Sequence, residues 1–176
     1  MNRRKKKNKM AEKLVLDENV ICQAIELKNK DRKPDKTSAK CVSLIYETCH
    51  KIVCDKFLWK RYKDRIRDKR KIGDPEIIEL IEIGILRNSR KCIRTRKDAK
   101  PLPAPIERDF ETTLGNSNEE DIMFARVAAE NRVYALITDD ARFHDWINDV
   151  LQSRYDFSGL TPAEALEDAG LELSQN

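Results

Sequence analysis

Two short, largely apolar runs that end on acids set the strongest limit on how this chain folds. Leu14-Val-Leu16 runs straight into Asp17, and residues 133–138 run into Asp139-Asp140. Runs this brief, without polar alternation, are strands covered on both faces. Ile52-Val-Cys54 offers another. Between the runs lie stretches of helical period: Val20, Ile21, Ala24 and Ile25; Cys41, Val42, Leu44, Ile45, Thr48 and Cys49; Phe57, Leu58, Tyr62 and Ile66; Ile77, Ile78, Ile81, Ile85 and Leu86. Strands joined by crossovers of a dozen or more residues pair in parallel. The expectation is an α/β fold, a three-layer α/β/α sandwich around a central, mostly parallel twisted sheet.

Local signals place the boundaries. Thr37 or Ser38 caps the second helix and Asp55 the third, Gly73-Asp-Pro75 breaks the third with Pro75 in a first-turn place, and Thr161-Pro162 pairs a cap with a first-turn proline. Pro101, Pro103 and Pro105 predict an extended surface segment. Asn118-Glu-Glu-Asp121 opens a helix to Ala129, and a short helix follows around residues 143–151. Residues 1–12 read as a disordered basic arm, 13–169 as one domain and 170–176 as a tail.

With 176 residues, 38% charged and 40% hydrophobic, the chain suits one globular domain with an ionised surface. No run approaches the length of a membrane span, and no signal-peptide core follows the basic start, so the cytoplasm is the expected location. Five cysteines, an odd number set mostly in apolar patterns, read as reduced core thiols. Cys49, His50 and Cys54 lack the spacing of a zinc knuckle, and His144 has no accompanying nucleophile motif. Glycine-rich phosphate loops are absent.

The net charge of +4 is unevenly placed, with basic blocks at 3–9, 56–71 and 87–100. Such blocks suit a polyanion, and Lys60, Lys63, Arg61 and Arg65 are the candidates to grip RNA. A solvated helix face explains them equally well.

In an open parallel sheet the ligand crevice lies beyond the carboxyl ends of the strands. Asp17 and Asp140 follow strands, and Asp121 begins the helix before the last of these, so the three carboxylates can converge there. Crowded carboxylates repel, and a hard divalent cation, Mg2+ or Mn2+, keeps them ionised. Asp139 is a further candidate ligand, and Asn19 and Thr138 would orient ligands or water. Helix capping accounts for Asp121 without any catalytic duty, and turn capping does the same for Asn19 and Thr138.

Leu14-Val-Leu-Asp-Glu-Asn19, Asp121-Ile-Met-Phe-Ala125, Ala135-Leu-Ile-Thr-Asp-Asp-Ala-Arg-Phe143 and Gly159-Leu-Thr-Pro-Ala-Glu-Ala165, in that order, resemble the PIN-domain nuclease family. The likeness spans residues 13–169, although the middle matches only in element order. It implies a Mg2+- or Mn2+-dependent endoribonuclease with Asp17, Asp121 and Asp140 as catalytic metal ligands, and often a homodimer. One departure is evident: the family's fourth acid, a Glu after the second strand, falls where this chain has Lys60-Arg61. Either another acid, such as Glu47 or Asp64, reaches inward, or the pocket holds metal weakly, or the domain binds RNA without cutting it. A third reading is the toxin of a toxin–antitoxin pair, its acidic pocket covered by a small antitoxin-like protein.

Overall fold

The computed structural model describes residues 11–115, 120–168 and 171. Five strands, β1 (Lys13–Leu16), β2 (Lys51–Cys54), β3 (Cys92–Arg94), β4 (Ala135–Ile137) and β5 (Ser158–Leu160), form one sheet in the order β3-β2-β1-β4-β5. All four pairings are parallel. Leu14, Val15 and Leu16 have at most 1% exposure, as do Ala135, Leu136 and Ile137, because helices cover both faces of the sheet. The architecture is the α/β/α sandwich expected.

The helices are α1 (Glu18–Glu26), α2 (Thr37–Glu47), α3 (Lys56–Lys69), α4 (Pro75–Glu79), α5 (Ala104–Leu114), α6 (Asp121–Asn131), α7 (Ala141–Trp146), α8 (Gln152–Tyr155) and α9 (Pro162–Glu167). α4 runs on as a π-helix over Leu80–Leu86, and a second π-helical turn, Ile147–Leu151, joins α7 to α8. The apolar stripes read from the sequence face inward: Val20, Ile21, Ala24 and Ile25 are buried on α1, and Leu58, Tyr62 and Ile66 on α3. α9 opens on a capping box between Thr161 and Glu164.

Several local expectations are corrected. Pro101, Pro103 and Pro105 do not hold an extended segment throughout: Pro103 is the N-cap of α5 and Pro105 lies in its first turn, where a missing N–H costs nothing. Ile106, Phe110 and Leu114 bury its inner face. Neither Thr37 nor Ser38 is the N-cap of α2, a place held by Lys36; Asp35 Oδ1 instead accepts from the Thr37 N–H (2.7 Å). Cys49 is exposed rather than part of the core. The proposed start of α6 at Asn118, residues 1–10 of the expected 1–12 arm, and the expected tail at 170–176 apart from Leu171 lie outside the described residues.

Chain order and strand order together locate the crevice. From central β1 the chain moves outward through β2 to β3, then returns to the other side of β1 for β4 and β5. The reversal falls between β1 and β4, so their carboxyl ends diverge into helices and leave an opening there. Among the described residues no helix is long and apolar enough to cross a membrane.

Candidate functional site

β1, β2 and β4 each pass into the next helix through an aspartate that caps it. Asp17 Oδ1 accepts from the Asn19 N–H (3.2 Å), Asp55 Oδ1 from the Leu58 N–H (2.8 Å), and Asp140 Oδ1 from the N–H groups of Arg142 (2.9 Å) and Phe143 (3.0 Å). An acid here satisfies orphan donors and complements the helix dipole, so position alone implies no chemistry. The remaining oxygens separate the three. Asp55 Oδ2 accepts from the Ala99 N–H (3.0 Å) and pins the following loop. Asp17 Oδ2 accepts from Thr138 Oγ1 (2.7 Å). Asp140 Oδ2 has no hydrogen-bond partner among the described residues.

Thr138 joins the two strand ends at the switch point. Fully buried, its hydroxyl donates to Asp17 and accepts from the Asp140 N–H (3.1 Å). α6 packs on β1, β2 and β4 and brings Asp121, half-buried in its first turn, to the same edge. The Asp121 carboxylate has neither a hydrogen bond nor an ion pair among the described residues. Burial, followed by the charges of Asp17, Asp140 and Glu18, pushes it up to about 7. Burial likewise pushes Asp17 up to about 6, against the pull of the Thr138 and Asn19 hydrogen bonds.

Sequence reading missed the acids that complete the cluster. Glu18, beside Asp17, faces α3 and is held by Arg61 through Nε (2.8 Å) and Nη2 (2.8 Å), and by Arg65 Nη2 (2.6 Å). Arg61 also pairs with Glu120, next to Asp121. Although burial alone would raise Glu18, these two guanidinium groups pull its carboxyl below the usual range. Spacing held the clue: Arg61 and Arg65, four apart, share the face of α3 that meets α1. A helix this basic reads as solvent-facing, which hides the inward pair.

The other candidates lie around this centre. Asp139 Oδ2 accepts from Gln23 Nε2 (3.0 Å), whose Oε1 accepts from Ser38 Oγ (3.0 Å). Asn19 stands exposed beside them on α1. Lys60 and Lys63 line a separate hollow with Trp59, Asp64 and Arg67. Asp64 pairs there with Arg67 (3.0 Å), and Glu47 lines another hollow with residues of α2 and α4. Neither supplies a fourth acid beside Asp17; Glu18 is the additional acid next to it, and Glu120 stands next to Asp121.

Every donor of Asp17, Asp121, Asp140, Asp139 and Thr138 is oxygen, the kind that hard divalent cations take, and Asp121 has no ion-pair partner among the described residues. By donor type alone these are the ligands that Mg2+ or Mn2+ prefers. Among the described residues, no group of three or more His, Cys, Asp and Glu side chains is arranged to hold a metal ion. No protein-family model matches the chain, and the search of curated proteins finds no match.

Proposed function

We propose that this protein is a metal-dependent endoribonuclease hydrolysing RNA phosphodiester bonds at Asp17, Asp121 and Asp140, as the resemblance to PIN nucleases implies. One observation carries the reading: Asp121 is a half-buried carboxylate without a described partner, in the field of Asp17 and Asp140. Such a group either holds a proton near neutral pH or takes a cation. Mg2+ or Mn2+ held by the three carboxylates would keep them ionised, activate water and offset the phosphodiester charge.

The chain's own residues prepare that site. Thr138 and the Asn19 N–H fix both oxygens of Asp17, so its carboxylate cannot rotate away. Asp140 is held by one oxygen and keeps the other for a ligand. Arg61 and Arg65 neutralise Glu18, which limits the negative charge gathered at the edge.

Cleavage of a labelled single-stranded RNA with Mn2+ tests the reading. Asp17→Asn should lower the rate by a factor on the order of 100 or more while leaving the fold intact, since changes to groups that merely orient metal ligands already cost about 10- to 100-fold. Undiminished cleavage by the folded variant overturns it.

A second reading, RNA binding without cleavage, is favoured by Arg61. Its guanidinium stands among the acids and pairs with Glu18 and Glu120. That reading expects RNA affinity indifferent to EDTA and to Asp140→Asn, but falling with salt.

A further inference from the structure

Beside the two aspartates that end β4 lies a cavity of about 450 Å3, walled by α1 and the loop after it. Its volume is within the roughly 300–1,000 Å3 typical of small-ligand pockets. Its walls carry opposite charge. Asp140 lies near Asp17 at the start of α1, with Asp139 beside it, whereas Lys28, Lys30 and Arg32 follow the end of α1.

These three cations are exposed and have no ion pair among the described residues. The two remaining basic side chains of the lining are engaged: Lys69 pairs with Glu26, and Arg142 donates to the Thr113 carbonyl. The loop that presents the trio is tied down. Lys28 bridges Pro34 through the backbone, and Asn29 Oδ1 accepts from the N–H groups of Asp31 (3.0 Å) and Lys33 (3.0 Å). A tied loop that carries cations without an ion pair among the described residues, at the far end of α1 from carboxylates that would repel phosphate, gives the cavity a direction.

Between these charges the lining is made by Asn19, Cys22, Gln23 and Asn29, which are uncharged, with Ala141 and with Glu26, whose charge is met by Lys69. Burial pushes the Cys22 thiol up to about 11, so it stays neutral at physiological pH. The Asn19 amide and the remaining N–H groups of Gln23 and Asn29 can hydrogen-bond the Watson–Crick edges of bases, which only unpaired strands leave open.

Resting on the nuclease reading above, we propose that this cavity binds one nucleotide of single-stranded RNA next to the cleaved bond. The base lies over Asn19, Gln23 and Asn29, and the flanking phosphate meets Lys28, Lys30 and Arg32. The strand therefore runs across the α1 side of the site, not along α3. On α3, Arg61 and Arg65 are committed to Glu18 and Arg67 pairs with Asp64, while Arg70 just after it pairs with Glu82, which leaves Lys60 and Lys63 as the exposed cations to compare.

Fluorescence anisotropy with a labelled single-stranded RNA of about ten nucleotides tests this on the full chain. EDTA is included so that binding is read apart from cleavage. Lys28→Glu/Lys30→Glu should weaken binding at least about tenfold and reduce the log–log salt slope by about 1.4, or about 0.7 for each phosphate no longer neutralised. Lys60→Glu/Lys63→Glu, with the same charge change on α3, should cost less than about threefold. Both pairs are exposed, and thermal melts check that each variant is folded. Equal losses from the two pairs, no loss from the first, or duplex RNA bound as tightly as single-stranded RNA would overturn the proposal. Failure to cleave with Mn2+ while this binding pattern holds would remove the nuclease reading and leave the cavity assignment standing.

Discussion

Asp17, Asp55 and Asp140 do the same local job, and Asp121 does not. The first three accept backbone N–H bonds at helix starts, whereas Asp121 has burial and neighbouring charge without a described bond to offset them. Its pKa, raised from 3.8 to about 7, has a consequence for folding of the metal-free protein. Between those values the folded state binds more protons than the unfolded state, so stability falls as pH rises through the window and levels off above it. Asp121→Asn removes the ionisable group. In EDTA it should stabilise the fold by on the order of 1–3 kcal/mol at about pH 8, a rise of a few degrees in Tm, and by little at about pH 4. Thermal melts at the two pH values measure this. An equal shift at both would mean that the carboxylate does not titrate as described.

At the scale of elements, legibility follows the length and burial of each run. β1, β2 and β4 are readable because three consecutive core residues leave no polar alternation. β3 is hidden in a basic block, since among its three residues only Cys92 is buried and Arg94 is exposed. β5 is an edge strand built from Ser158, Gly159 and Leu160, with only Gly159 buried. α5 is hidden by its prolines, although Ile106, Phe110 and Leu114 mark one helical face. The turn between α3 and α4 carries a prediction of its own. A Cβ on Gly73 would lie 2.1 Å from Ile25 Cγ2 and 3.0 Å from the Lys69 carbonyl oxygen. The Asp74 N–H donates to the Ile25 carbonyl (2.8 Å), so the turn cannot simply back away from α1. Gly73→Ala should therefore destabilise the protein by about 1–3 kcal/mol in urea unfolding. An unchanged midpoint would show that the turn yields.

For the whole molecule, strand order decides which acids meet. Asp17 and Asp121 are distant in sequence, and only the placement of β1 between β2 and β4, with α6 packed across all three, makes them neighbours. The placement of Asp17 and Asp140 is legible because acids after strands fall at the carboxyl edge of a parallel sheet, whereas Asp121 starts a helix and comes near them through the packing of α6. The inward turn of Arg61 and Arg65 is not, because a basic helix looks the same in sequence whether its cations face water or a buried glutamate. Whether the gathered carboxylates take a divalent cation is the central claim, and calorimetric titration of Mn2+ into the metal-stripped protein tests it most directly. Binding is predicted in the wild type and should be lost in Asp17→Asn, Asp121→Asn and Asp140→Asn. No uptake by the wild type, or uptake undiminished in all three variants, would contradict it.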